Sequence, residues 1–296
     1  MKTPARRPMI NNMPSADFTT ALARVDRAVT HREELWATAA AHIETHPLVK
    51  DFDIRPDMVR STVQATAPFP VEVSVIFGEW LYNLRAALDS ILYELAVEDT
   101  QKNPPTAAGA RQYPIIADAT SFSEKSKRAL TGLDEWTRTG IENTQPYHVK
   151  TGAKGHALWW LNELARLDRH RRHHLFEWRV VDLQAHANPV KFQPCQRMCD
   201  PDRVFVTDQK PLELVAFPRR PYAPLVDTDL SVSFTVQPDI PSWVEQAVPG
   251  FGAEARLDQR MEVVETCVRR TIELFRDHLP QRTPWNGRLV NIDMGI

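Results

Sequence analysis

Cysteine is scarce in this chain, and its scarcity excludes a fold held together by disulfide bonds. The three cysteines are an odd number, and the pair Cys195 and Cys199 has no second pair of ligands at a spacing typical of zinc. We therefore expect reduced thiols and no metal site.

Long hydrophobic runs are absent as well. No stretch approaches the roughly 18 uninterrupted apolar residues of a membrane-spanning helix. The basic residues among positions 1–8 are not followed by the apolar run of a signal peptide. We expect a cytoplasmic protein without a membrane partner.

Glycine is scarce, and the chain has no large excess of charge of one sign. The formal net charge is -2 over 296 residues, so affinity for nucleic acid has to come from a local patch. With 10 glycines, the chain has neither a Walker loop nor a dinucleotide-binding fingerprint, and we expect no cofactor. Its 43% hydrophobic and 25% charged residues are ordinary for a globular protein and exclude disorder.

What the chain does contain is a set of long helical patterns and one block rich in strands. Apolar residues recur at helical spacing in four long segments, at residues 15–46, 71–98, 156–168 and 257–279. Four short alternating runs separated by prolines predict an antiparallel sheet within residues 172–240. The fold class predicted is α+β, with a sheet inserted before the last helix of a bundle.

We assign the whole chain, residues 1–296, to one domain. Its parts are a helical portion with loops at 15–171, the β-sheet insertion at 172–240 and the closing helix at 257–279. A Pro-Asp pair within residues 48–64 predicts a hairpin or a short extended excursion between the first two helices.

The second helix carries the first candidate site. Its apolar stripe contains Phe77, Leu81, Leu84, Leu88, Ile91 and Leu95, and polar residues border that stripe at Asn83, Arg85 and Asp89. Arg85 and Asp89 are four residues apart and can form a simple ion pair on the helix surface. Alternatively, a guanidinium at a helix junction can contact a phosphate with two nitrogens.

The second candidate is a basic cluster at the end of the third long helix. Between Arg166 and His174 the one acid is Asp168, among four arginines and three histidines. Cations at a helix C-terminus are partly explained by the helix dipole. Phosphate binding, or acid–base catalysis by an imidazole, is the other interpretation. A metal shared by His170 and His174 is disfavoured, because the neighbouring arginines repel cations.

Several motifs resemble those of a widespread group of uncharacterised bacterial proteins. They are the helix at residues 78–89, Tyr113-Pro114-Ile115, Gln145-Pro146-Tyr147 and the Leu-Ala-Arg-Leu-Asp-Arg-His-Arg run at 164–171. The resemblance covers about residues 70 to 175. That group typically has an Asn-Leu-Arg helix ending in Asp-His, a Phe-Pro-Ile turn and an Asp-Lys-His-Arg motif.

The spacing of arginine and histidine in that group in turn resembles the signature of HEPN domains. These are helical bundles that often dimerise and use the two residues in metal-independent RNA cleavage. Arg85 matches the arginine, but Ser90 occupies the histidine position. His170 or His174 would then have to supply the imidazole from the other helix.

The resemblance implies a HEPN-like homodimer that engages RNA or a nucleotide phosphate. If it is a metal-independent endoribonuclease, Arg85, His170 and Asp168 are the catalytic residues. The remaining candidates for phosphate or RNA contact are Asn83, Asp89, Arg169, Arg171, Arg172 and His174. The alternative is a non-enzymatic interaction module in which Arg85, Asp89, Asp168 and Arg171 form a structural ion network.

Overall fold

The structure is a computed structural model in which the long helices and the strands form separate but touching cores. It describes residues 15–106, 112–170, 174–200, 204–220, 224, 226, 229–246, 255–282 and 284–285, with the backbone alone for His170. The helices are α1 (Thr19–Thr45), α2 (Val71–Thr100), α3 (Ala119–Ser126), α4 (Glu135–Asn143), α5 (Ala157–His170), α6 (Pro241–Gln246) and α7 (Leu257–His278). Two 3-10 turns lie at Pro146–His148 and Ala153–Gly155.

The four long helices α1, α2, α5 and α7 pack on one another. Helix α2 contacts the other three. The apolar stripe predicted for α2 is fully buried, since every member from Phe77 to Leu95 is at most 1% exposed. The stripe of α7, which includes Met261, Val268 and Phe275, is equally buried. Helical periodicity therefore identified the faces that form the core.

The strands form two antiparallel sheets within the described residues, and this corrects the prediction of one inserted sheet. The strands are β1 (Val49–Ile54), β2 (Met58–Gln64), β3 (Glu177–Ala187), β4 (Arg197–Met198), β5 (Phe205–Val206), β6 (Leu212–Pro218) and β7 (Leu230–Asp239). One sheet has the order β1-β2-β6-β4 and the other the order β5-β3-β7. The hairpin between α1 and α2 therefore pairs with a strand of the later block, with Ser61 opposite Val215.

Phe69, just before α2, joins the two cores. It packs against both hydrophobic clusters, and its ring lies 4.5 Å from that of Trp178 on β3. Mixed α and β structure is confirmed. Within the described part of the chain, no helix combines the length and the apolar character needed to span a bilayer.

Candidate functional site

A cavity opens beside Arg85 where α1, α2 and the end of α5 meet. We call it the Arg85 cleft; its volume is about 440 Å³. It is lined by Asp17, Thr20, Arg24, Tyr82, Arg85, Ala86, Asp89, Ser90, Tyr93, Glu94 and Arg169. Three arginines and three carboxylates therefore face the same space, and three of the predicted site residues, Arg85, Asp89 and Arg169, are among them.

Arg85 is deeply buried at the wall of this cleft, with 9% of its surface exposed. Its Nη2 donates to the carbonyl of Tyr113 at 3.2 Å and lies 3.6 Å from Oδ1 of Asp89. Its Nε and Nη1 have no hydrogen-bond partner among the described residues. Buried donors in proteins are nearly always bonded, so these two inaccessible nitrogens are unsatisfied donors in the wall of the cleft.

The electrostatics of the pair follow from burial. Burial lowers the pKa of Arg85, opposed by the charge of Asp89 and reinforced by that of Arg169. An arginine in a protein nevertheless stays protonated at neutral pH. Burial raises the pKa of Asp89, while Arg85 and a hydrogen bond from the backbone N–H of Tyr113 oppose that rise. Arg85 thus keeps its positive charge beside the carboxylate of Asp89.

Arg85 and Asp89 also hold the turn at residues 113–116. Oδ1 of Asp89 accepts from the N–H of Tyr113 at 2.8 Å, opposite the contact that Arg85 makes to its carbonyl. Gln145, fully buried, accepts from the N–H of Ile116 and donates to the carbonyl of Pro114, both at 2.9 Å. The ion pair therefore fastens a loop as well as lining a cavity, so a structural role accompanies any functional one.

Two other polar positions of α2 have local partners. The side chain of Asn83 donates to the carbonyl of Glu79 at 2.9 Å, and it does not line the Arg85 cleft. The hydroxyl of Ser90 lines the cleft and donates to the carbonyl of Ala86 at 2.7 Å. Neither side chain brings an acid or a base to Arg85.

The residues of the basic cluster are not all brought to Arg85. The Asp168 carboxylate lies against Gly78, where an added Cβ would be 2.9 Å from Oδ2. Gly78 precedes Arg85 by about two helical turns. Arg169 lines the cleft, and its Nε donates to the carbonyl of Ala165 at 3.1 Å. The His170 side chain and residues Arg171 and Arg172 lie outside the described residues.

His174 lies in the hydrophobic core rather than at the cleft. It is 5% exposed, its Nε2 is 3.0 Å from the carbonyl of Leu164, and its ring meets Phe77 edge-on at 5.2 Å. An imidazole in that position does not reach a phosphate held by Arg85. The prediction that His174 contacts RNA therefore has no geometric support.

Arg24 is a cleft residue that the sequence did not identify as a candidate site residue. It is half-buried on α1, and its Nε has no partner among the described residues. No pattern in the sequence shows which polar residue of α1 faces the border of α2.

No group of three or more histidine, cysteine or acidic side chains among the described residues is placed to hold a metal ion.

Comparisons with known proteins add no relative. No protein-family description, curated protein or solved structure matches this chain.

Proposed function

We propose that the Arg85 cleft binds a phosphate group of RNA or of a nucleotide. The observation that carries the proposal is the buried guanidinium of Arg85, which lines the cleft and has two nitrogens without partners among the described residues. Guanidinium groups bind phosphate oxygens through paired, charge-assisted hydrogen bonds. Arg24 and Arg169 add positive charge on the facing walls.

The acids in the cleft narrow the kind of ligand. Asp17, Asp89 and Glu94 would repel a dense polyanion, so the cleft fits a single phosphate next to groups that donate hydrogen bonds. The ribose hydroxyls of RNA are such donors. From the motif resemblance, we interpret the core of α1, α2, α5 and α7 as HEPN-like, and the homodimer stays a prediction.

If the bound RNA is cleaved, the 2'-hydroxyl attacks the adjacent phosphorus. A base takes the hydroxyl proton, the 5'-oxygen leaves with a proton from an acid, and a 2',3'-cyclic phosphate remains. Arg85 would stabilise the charge on the pentavalent phosphorus. His170 is the candidate acid or base, with Asp168 as the residue that orients it.

The catalytic part is tested with labelled single-stranded and structured RNA in the presence of a chelator. We expect metal-independent cleavage by the wild type that falls by at least about a hundredfold in Arg85→Ala and in His170→Ala. Persistence of the full rate in either variant would contradict that residue's role.

The second candidate is a non-enzymatic interaction module. The hydrogen bonds that Arg85 and Asp89 make to the backbone of the turn at 113–116 favour this candidate, because they give both side chains a structural role. A wild-type protein that neither cleaves RNA nor binds it in a salt-sensitive manner would select this candidate over the first.

A further inference from the structure

A second cavity lies on the other side of Arg85. We call it the turn cavity; its volume is about 500 Å³, and the turn at residues 113–116 forms one wall. Lys125 and Arg128 line it from the segment of α3, Asn162 from α5, and Gln112 from the start of the turn. It shares only Arg85 with the Arg85 cleft.

The charge of the turn cavity differs from that of the cleft. Its described lining contains Arg85, Lys125 and Arg128 and no carboxylate, whereas the cleft has three acids for three arginines. Lys125 and Arg128 are exposed, so they can reorient towards an anion at little cost. Arg85 is nine-tenths buried and keeps Nε and Nη1 without described partners. The described lining therefore has three cations and no carboxylate, and the ion-pair partner of Arg85, Asp89, lies outside it.

The rest of the lining suits a planar polar group. Pro114, Ile115 and Ala129 supply apolar surface, while the carboxamides of Gln112 and Asn162 can each donate and accept hydrogen bonds. Carboxamides pair with the edges of nucleobases in this manner. The volume also lies within the range usual for small-molecule sites.

We propose that the turn cavity is a separate binding site for a nucleoside monophosphate, or for one nucleotide unit of a longer chain. The phosphate lies against Lys125, Arg128 and Arg85, and the base lies between the turn and the two carboxamides. The inference goes beyond the proposed function, because it assigns a ligand to a different cavity.

The test is calorimetric titration of the full chain with AMP and UMP, and with adenosine and uridine as probes without phosphate. We expect saturable binding of the nucleotides and at least tenfold weaker binding of the nucleosides. The double variant Lys125→Ala/Arg128→Ala is expected to weaken nucleotide binding by at least about tenfold. Both side chains are exposed, so the variant should fold normally.

Lys127→Ala is the matched control, because Lys127 is an exposed cation of the same segment that does not line the turn cavity. Its nucleotide affinity should stay within twofold of the wild type. Equal affinity of the double variant and the wild type, or equal affinity for AMP and adenosine, overturns the proposal. RNA binding without saturable AMP or UMP binding also overturns it, and leaves the proposed function intact.

Discussion

At the scale of single residues, burial decides what each charged or titratable group can do. Arg85 keeps its charge in a nearly closed position, one nitrogen serving the turn at 113–116 and two lacking described partners. His156 shows the opposite outcome, since the burial of its ring favours the neutral form. Arg85 and His156 are therefore both buried, but Arg85 is charged and holds a turn, whereas His156 is neutral and caps a helix.

His156 leads to a prediction about stability and pH. Its Nδ1 accepts from the N–H of Leu158 at 3.1 Å at the start of α5, and burial, with a smaller contribution from His148, lowers its pKa from 6.5 to about 4. Between these values the unfolded chain binds a proton that the folded chain excludes. Folding stability should therefore fall as the pH drops from 6.5 towards 4, by up to about 1.4 kcal/mol per pH unit.

Urea denaturation at several pH values checks this prediction. In His156→Asn the side-chain oxygen can still cap the helix, but the titrating group is gone, so the unfolding free energy should vary less steeply in that range. A variant with the same pH dependence as the wild type would rule out His156 as the source.

The sequence alone identified three residues of the Arg85 cleft, because each belongs to a pattern that is visible along the chain. Arg85 and Asp89 were recognisable because they border a stripe whose period is helical, and Arg169 because it belongs to a dense run of cations. The neighbour of Asp168, Gly78, is 90 positions away, and no local pattern connects them. The burial of His174 depends on its contacts with Leu164 and Phe77, which no local pattern in the sequence shows.

At the scale of elements, polar contacts join the helices in addition to the apolar stripes. Glu265 on α7 accepts from the indole N–H of Trp80 at 2.9 Å and from Nε of Arg32 at 3.0 Å. One carboxylate thus links α1, α2 and α7. Burial raises its pKa, and the two donors oppose that rise.

Removal of this carboxylate should destabilise the bundle. In Glu265→Ala the buried indole N–H and the largely buried Arg32 are left without their acceptor, and we expect the unfolding free energy to fall by about 3 kcal/mol. The matched control is Glu262→Ala, because Glu262 is exposed and 3.9 Å from Arg32, and its effect should stay within about 0.5 kcal/mol. Equal effects of the two substitutions in guanidinium denaturation would contradict the structural role of Glu265.

The elements themselves were predictable where periodicity is long. The predicted helix at residues 15–46 is Thr19–Thr45, and that at 257–279 is Leu257–His278. The short helix Pro241–Gln246 was missed because six residues hold less than two turns of pattern. Strand runs were recognised, but their partners were not, since pairing between β2 and β6 joins residues about 150 positions apart.

At the scale of the whole molecule, the two cavities on which the proposals rest lie on the helical side of the described structure. The Arg85 cleft is lined by α1, α2, α5 and Asp17, and the turn cavity by α2, α5, the turn at 113–116 with Gln112, and the segment 125–129. The described strands therefore line neither cavity. Strand β2 of the early hairpin pairs with β6 of the later strand block. The pairing of β2 with β6 joins parts of the chain that are far apart in sequence.

The most direct test of the central claim is the salt dependence of RNA binding. Fluorescence anisotropy of a labelled single-stranded RNA should show that Arg85→Ala and Arg24→Ala bind at least about tenfold more weakly than the wild type. The slope of log affinity against log salt should become shallower by about 0.7 for each phosphate that is no longer neutralised. Lys127→Ala should match the wild type, since Lys127 lines neither cavity. Identical affinities and slopes for all four proteins, or no binding by the wild type, would contradict a phosphate site at Arg85.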